Sequence, residues 1–565
     1  MPGSPPLDCQ PLSRYHAPDQ SLRSLPLDSR ASIAKAAGII MLGNILSRLL
    51  GLVREQVIAA IFGARSATDA FVVASTVPTM VYDLLVSGAI SAALIPVFSD
   101  YADGEDSAEF SRVVSAVLSM AVAALVLVMA VLLLLAPWLV DLLGAGFDQQ
   151  GKGLVVYLVR LMLPSVLLMG AAGVLTATLY ARRSFTLPAF SVAVYNLGII
   201  MGGVLLAERL EVASLVIGVL IGAALQVVIQ WPGLRGLRLR PTLNLSHPGV
   251  RSILRLYAPV ALGLVISNIG VIIDRHLASQ TGEGSMAAMR FATTLVQFPL
   301  GLVATATSFA VLPTLSRQAQ DKGERGIIPD SASGAQSSYA ATLRMGMKMI
   351  LLLIVPAAVG LVVLREPIVQ LLFQRGAFDR GATALTTLAF LGYSPGIAFA
   401  AVDQLLIFAF YARKDTRTPV AVGVMAIAVY LVVALTLVRP MGMLGLVLAN
   451  AAQTISHAVV LLWLLNRAVG GVVDRELGIF VARVMVAAIA MGLACWAFVS
   501  AALPLGTTGP GVALLVMAGT ALGSVIYVGG VVLLRVREAW ETWAILVRRL
   551  RRGRPEAGNV GLQGR

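Results

Sequence analysis

Residues 179–188 read LYARRSFTLP, and residues 410–419 read FYARKDTRTP. Tyr180, Ala181 and Arg182 thus recur as Tyr411, Ala412 and Arg413, where a long apolar run gives way to a basic turn. Two further pairs precede them in the same order. LIPVFSD (94–100) matches VLPTLSR (311–317), and APWLVDLLGAGFD (136–148) is echoed by EPIVQLLFQRGAFD (366–379). The three pairs are offset by 217, 230 and 231 residues, so one insertion, placed in the loop 318–340, reconciles them. Three matches in one order mark an internal duplication.

The duplicated unit belongs in a bilayer. Of 565 residues, 58% are hydrophobic and 13% charged, whereas a soluble domain carries about 25% charged residues. Too little polar surface remains to cover a water-soluble globule. A spanning helix needs roughly twenty mostly apolar residues, and about fourteen such runs lie between residues 33 and 535. The expected fold is all-α and membrane-embedded. Six spans separate the repeat copies, so both copies enter the membrane with the same polarity. That gives two pseudo-symmetric six-helix lobes, 33–232 and 252–466, and helices 13 and 14 at 477–535 stand outside the repeat. Such symmetry commonly places a transport site between the halves, which rock to alternate its access.

The formal net charge is +14. The cations gather in alternate loops, around Arg182, Arg235–Arg251, Arg317–Arg325, Arg413–Arg417 and Arg467–Arg475. The positive-inside rule then puts those loops and both termini in the cytoplasm. The segment 365–380 breaks the pattern, with Arg365, Arg375 and Arg380 on the outer side, and the inner loop 99–109 is acidic instead. Residues 1–32 are Pro- and Ser-rich and lack the apolar stretch of a signal peptide, so they read as a disordered cytoplasmic tail. Residues 536–565 alternate apolar, Trp and basic residues, as an interfacial amphipathic helix or a plain topology anchor does.

Composition also excludes function classes. No basic stripe with interleaved aromatics is present, which excludes nucleic acid as a partner. Cys9 and Cys495 allow neither a disulfide framework nor a Cys-based metal site. Walker A, HExxH and GxSxG sequences are missing, so no catalytic constellation is expected. The reading is a transporter and not an enzyme, driven by an ion gradient, the membrane potential or substrate concentration.

Ionisable groups inside spans point to the site, since each costs at least about 2.5–3.5 kcal/mol at the bilayer centre. The first span, NILSRLLGLVREQVIAAIFGA, holds Arg48, Arg54 and Glu55. At 100° per residue Arg48, Gly51 and Glu55 share a stripe, with Ser47 and Arg54 on its flank. Guanidinium groups offer planar bidentate bonds to phosphate and stay charged in a dry site. The competing reading is that Arg54 and Glu55 are neutralised in structural ion pairs. Asp69 reads as a helix cap or as a holder of a first-span arginine. Asp83 calls for a cationic partner. Asp274 and Arg275 point about 100° apart and are not expected simply to pair. Arg290 reads as a site residue or as snorkelling to the outer interface. Asp403 with Gln404 could line a cavity or lock helices, and Asn450, Gln453 and His457 share a face that suits helix–helix glue.

Several stretches resemble the MurJ/MviN family of the multidrug/oligosaccharidyl-lipid/polysaccharide exporter superfamily. They are SRLLGLVREQVIAAIFGARSATDAF (47–71), LPSVLLMGAAGVLTATLYARRSFTLPAF (163–190), LLFQRGAFD (371–379) and FYARKDTRTPV (410–420). The resemblance covers residues 33–535. It implies a V of two six-helix lobes plus two helices forming a lipid-tail groove, in the bacterial cytoplasmic membrane. It also implies flipping of lipid II, the undecaprenyl-diphosphate-linked peptidoglycan precursor, towards the outer face. The positions matching the family's headgroup-binding residues are Ser47, Arg48, Arg54 and Asp69, with Glu55 positioning them. Where the family carries cavity arginines and a glutamate in its second span, this chain has Tyr82, Asp83 and Ser87, and Thr294 replaces an arginine of the eighth. Arg275 or Arg290 would compensate. Asp274 is the candidate for coupling a cation such as sodium, the one cofactor-like group considered. Implied partners are lipid II or a related prenyl-diphosphate glycolipid, membrane lipids and cell-wall synthases. The alternatives are a flippase for another lipid-linked oligosaccharide and, in another class, a drug or cation antiporter.

Overall fold

The computed structural model describes residues 27–87, 90–104, 106–244, 246–324, 329–502, 509–536 and 538. All regular structure among them is helical. Most of the N-terminal tail and the amphipathic segment expected after residue 536 lie outside the described residues. Among the described residues, ten helices are long and apolar enough to cross a membrane, or eleven if one bent helix is counted as a single span. Their exposed side, with Leu127 and Leu134 at 66% and 81% of full exposure, is apolar as a lipid-facing surface must be.

The first lobe begins with α1 (Leu27–Phe62), α2 (Ser66–Tyr82) and α3 (Ile95–Ala102). α1 starts inside the segment that the sequence assigns to the tail, because RASIAKAAG continues a helix-favouring run. Between α2 and α3 the chain makes two π-helical turns, Asp83–Ser87 and Ile90–Leu94. α4 (Ser107–Leu143), α5 (Gln149–Met162), α6 (Pro164–Ala181), α7 (Thr186–Leu210) and α8 (Ala213–Gln230) follow. The tightest seam of this lobe joins α7 to α8. Gly198 faces Gly222 and Gly202 faces Gly218 there, so the two backbones touch where any side chain would collide. Small residues of this kind let membrane helices approach closely.

The second lobe repeats the order with α9 (Pro248–Ser279), α10 (Ser285–Glu324), α11 (Pro329–Val363) and α12 (Arg365–Phe373). α13 (Arg380–Tyr393), α14 (Ile397–Ala412), α15 (Arg417–Met441) and α16 (Met443–Val469) complete it. The duplication is visible in local geometry. Asp148 and Asp379 cap α5 and α13, accepting from Gly151 N and Ala382 N at 2.8 Å in both cases. Helices α6 and α14 end in the same way. Arg183 N bonds Tyr180 O and Ser184 N bonds Leu179 O, as Lys414 N bonds Tyr411 O and Asp415 N bonds Phe410 O. Arg183 and Lys414 both take the left-handed conformation, with φ of 58° and 60°. Asp415 then accepts from Thr418 Oγ1 and from two amides at the start of α15. These bonds hold its carboxyl below the usual carboxylate range, the Thr418 hydroxyl contributing most.

The symmetry is broken in one place. α1 packs closely along α7, whereas its counterpart α9 bends by 46° between Pro248–Ala258 and Gly263–Ser279. Pro259 at the break removes an amide donor. The first part of α9 docks on the other lobe, where Gly249 meets Tyr101 and Val113 and His247 Nε2 lies 2.9 Å from Glu109 Oε1. α17 (Arg475–Ala502) and α18 (Gly509–Leu533) pack beside α11. Lys348 reaches Glu476 at 2.9 Å and Glu538 at 2.7 Å, Arg344 pairs with Asp474, and Tyr527 donates to Leu352 O.

At one end the lobes are closed against each other, largely through backbone. Ala377 N donates to Ala60 O at 2.8 Å. Gly63, Gly284 and Gly376, all with positive φ, lie against Ala377 O, Ala64 O and Ala60 O respectively. Gly146 N donates to Ser279 Oγ at 3.1 Å, and His276 Nδ1 lies 2.7 Å from Leu142 O. Phe291, Phe373 and Phe378 stack beneath this seal with ring centroids 5.3–5.8 Å apart.

The left-handed residue after α14 yields a test. Glycine adopts that conformation without the penalty of about 1–2 kcal/mol that a Cβ brings. Lys414→Gly should keep or raise the melting midpoint of the purified protein, and β-branched Lys414→Val should lower it.

Candidate functional site between the lobes

α1 and α10 face each other across the seam, and each brings charge to it. Glu55 is wholly buried. Its Oε1 accepts from Arg54 Nε at 3.0 Å and Nη2 at 2.5 Å, and also from Arg290 Nη2 at 2.8 Å. Its Oε2 accepts from Arg290 Nε at 2.9 Å. One carboxylate of the first lobe is therefore held by a guanidinium from each lobe. Arg54 Nη1 also donates to Asn196 Oδ1 at 2.8 Å, and Asn196 Nδ2 donates to Ser47 O at 3.1 Å. A Cβ at Gly51 would stand 3.7 Å from that amide, an ordinary van der Waals contact. The Arg290 guanidinium lies 5.3 Å from the centre of the Phe71 ring.

A charge this deep is expensive unless paired and hydrogen-bonded. Glu55 meets that condition, with 1% of its side chain exposed, while Arg54 and Arg290 keep 23% and 21%. The arginines are thus fixed on one side and accessible on the other. Arg48 is exposed, one turn and a half before Arg54, and donates from Nη1 to Gln297 O of α10 at 3.3 Å. Its guanidinium lies on Gly301, in the space that a Cβ at that position would take. Together Arg48, Arg54, Arg290 and Glu55 carry a formal charge of about +2, counting ordinary ionisation at neutral pH.

The other candidate residues take different places. Asp69 does not join the cluster. Its Oδ2 accepts from Gly284 N at 2.6 Å and its Oδ1 from Ala287 N at 2.8 Å, so it caps α10 from the opposite lobe and strengthens the seal. Ser66 N adds a bond to Glu283 Oε1 at 3.1 Å. Arg290 pairs with Glu55 and does not snorkel outward, because the buried carboxylate is within reach one helix away. Arg290 also precedes Thr294 by one turn, and Thr294 Oγ1 donates to Arg290 O.

Asp274 and Arg275 do come together, at 3.6 Å, contrary to the expectation from helix geometry, since the long arginine stem bends back across the 100° between them. Tyr430 of α15 donates to Asp274 Oδ1 at 2.7 Å. Asp83 has no ion-pair partner among the described residues. It is half-buried at the start of a π-turn and keeps solvent contact in place of a cation. Asp403 and His457 Nδ1 lie 2.7 Å apart and lock α14 to α16. Nothing is described of the Ser87 side chain.

Sequence reading missed Asn196, Phe71, Gly301 and Tyr430. Asn196 had a signal, as a lone amide in an otherwise apolar helix. The others had none, because aromatic residues and glycines are ordinary in membrane helices. No group of three or more potential metal ligands occurs among the described residues.

A charged seam between two duplicated helical lobes defines a multi-pass membrane protein of the transporter class. The family model "Lipid II flippase MurJ" matches residues 58–517, and the chain belongs to that family. It is 31% identical over 473 residues to a probable lipid II flippase MurJ of Haemophilus influenzae, covering 81% of this chain and 91% of that one. It is 28% identical over 464 residues to the lipid II flippase MurJ of Burkholderia cenocepacia, covering 80% and 88%. Among solved structures, a lipid II flippase MurJ in an inward closed conformation superposes with a TM-score of 0.71 at 21% identity, covering 88% of this chain and 98% of that one. A multidrug transporter of the MATE family, inward-facing, gives 0.62 at 13% identity over 75% and 94%. The superfamily fold expected from the sequence is present.

The clamp on Glu55 is open to a double-mutant test. Removing one partner of a buried ion pair costs about 3–5 kcal/mol. Glu55→Gln should lower the melting midpoint sharply by leaving two arginines side by side, and Glu55→Gln with Arg290→Gln should recover part of the loss. Equal midpoints for the single and double variants would refute the clamp.

Proposed function

We propose that this chain carries lipid II from the inner to the outer leaflet of the bacterial cytoplasmic membrane by alternating access. The observation that carries the reading is the cluster around Glu55, which draws its arginines from both lobes. A diphosphate diester has two negative charges, which match the excess charge of Arg48, Arg54, Arg290 and Glu55. Among the described residues, Nε and Nη2 of Arg48 and Nη1 of Arg290 make no hydrogen bond and remain to donate. Arg54 is the more constrained of the three, since all its nitrogens already donate, and it acts chiefly by holding Glu55 and Asn196. A phosphorylated head arriving here meets charge-assisted donors on two sides.

Orientation follows from the basic loops, which put both termini inside. The sealed end, with residues 63–66, 144–148, 280–284 and 374–379, then faces outward, and this conformation is closed to the outside. Transport requires the seal to part while the opposite end closes. α9, bent and packed on both lobes, lies along that movement. α17 and α18 offer apolar surface on which the prenyl tail stays in lipid while the head crosses. Asp274, held by Tyr430 in the second lobe, is the candidate for a coupling cation, and cell-wall synthases are the partners to which the flipped product would pass.

Two experiments test the reading. In proteoliposomes, Arg48→Ala should reduce lipid II translocation at least about tenfold, the scale of one lost charge-assisted bond, with the melting midpoint unchanged. Undiminished flipping would remove Arg48 from the site. Separately, Ser66→Cys with Glu283→Cys, oxidised across the seal, should stop translocation and regain it on reduction. Transport that continues through the cross-link would exclude opening at this end.

A further inference from the structure

Arg365, Arg375 and Arg380, the exception to the basic-inside pattern, take no part in the cluster between the lobes. They line a cavity of about 800 Å³ between α12, α13 and the start of α18. Arg365 Nη1 donates to Val362 O at 2.7 Å and Arg375 Nη2 to Leu371 O at 2.8 Å. None of the three has a carboxylate within ion-pair distance among the described residues. Glu366 is the one acidic residue of the lining, so the cavity carries an excess of two positive charges. Gln370 and Gln374 add amide donors to the same wall.

The cavity is also amphipathic along its depth. α13 and α18 begin here, at Arg380 and Gly509. Arg375 and Arg380 therefore sit at the end of the lobe, with Leu388 and Leu391 two to three turns deeper along α13, while Arg365 lies lower on the wall, its neighbour Leu364 packing against Gly519. Leu388 and Leu391 remain 39% and 38% exposed. Unneutralised arginines above exposed leucines match an amphiphile with a negative head. They do not match a soluble anion, which would leave the apolar part empty.

The geometry points to a binding site for the phosphate headgroup of an anionic phospholipid, in the leaflet at the sealed end, with its acyl chains against Leu388 and Leu391. Guanidinium groups bind phosphate by paired charge-assisted bonds. A single negative phosphodiester lowers the excess charge without needing a partner protein. The site lies on the outer side of α12 and α13, away from Arg48 and Arg290, so it stands whether or not lipid II is the transported molecule.

The test uses the full chain in nanodiscs with photoreactive phosphatidylglycerol, with phosphatidylethanolamine of the same acyl chains as the control. Labelled peptides are mapped by mass spectrometry. Phosphatidylglycerol should label α13 and the start of α18 several-fold more than phosphatidylethanolamine. Arg365→Gln, Arg375→Gln and Arg380→Gln together should cut that labelling roughly tenfold, while lysines at the same three positions should retain most of it. If the triple glutamine variant fails to melt cooperatively, Arg380→Gln alone is used, with a fall of about threefold expected. Equal labelling by the two lipids, or labelling unchanged by the glutamines, overturns the proposal. Stronger labelling of these peptides by a photoreactive prenyl diphosphate than by phosphatidylglycerol also overturns it, by assigning the cavity to the substrate.

Discussion

A carboxylate with no access to solvent, placed where two lobes meet, constrains everything around it. Glu55 can stay ionised in this position only while guanidinium groups surround it, and here one comes from each lobe. The seam is thereby tied together at its middle by an interaction that neither lobe can satisfy alone. The same bonds orient Arg54 and Arg290, which would otherwise sample many rotamers, so that their remaining surface faces the seam. An incoming anion meets a preformed array and does not have to order it.

The lobes themselves are held rigid by other means. Glycine contacts join α7 to α8, and polar pairs stitch the second lobe internally, Tyr430 to Asp274 and His457 to Asp403. Such hydrogen bonds between membrane helices are worth about 1–2 kcal/mol or less each. They suffice to keep a bundle intact, and they do not cross the seam. α9 is the place where rigidity gives way, divided between the lobes by a bend next to Pro259. The bend separates the part of α9 that docks on the first lobe from the part that belongs to the second.

Much of this architecture was legible in the chain. Composition identified the solvent as lipid, and three ordered matches exposed the duplication, which the paired caps at Asp148 and Asp379 and the paired turns at Arg183 and Lys414 bear out. The charged positions were also found, because an ionisable residue in a span is rare enough to attract notice. What could not be read was pairing. Helical periodicity says which face a residue occupies, not which neighbour it meets. Hence Asp69 was grouped with the arginines, although it caps a helix of the other lobe. Hence also Asp83 was given a cation that is not found among the described residues, and Arg275 was separated from Asp274, which its flexible stem allows it to reach. Contacts made by a missing side chain, such as Arg48 lying on Gly301, leave no trace in a single sequence.

The closure at the loop end is fastened in a way that the central cluster is not. Gly63, Gly284 and Gly376 press against peptide carbonyls, and a carbonyl cannot be exchanged by mutation. A methyl group added at any of these positions wedges the fastening open, and no second change across the seam can make room for it. The glycine–carbonyl contacts carry no charge, and the carboxylates of Asp69 and Glu283 add bonds to backbone amides beside them. The sealed end therefore answers chiefly to shape and the middle chiefly to electrostatics.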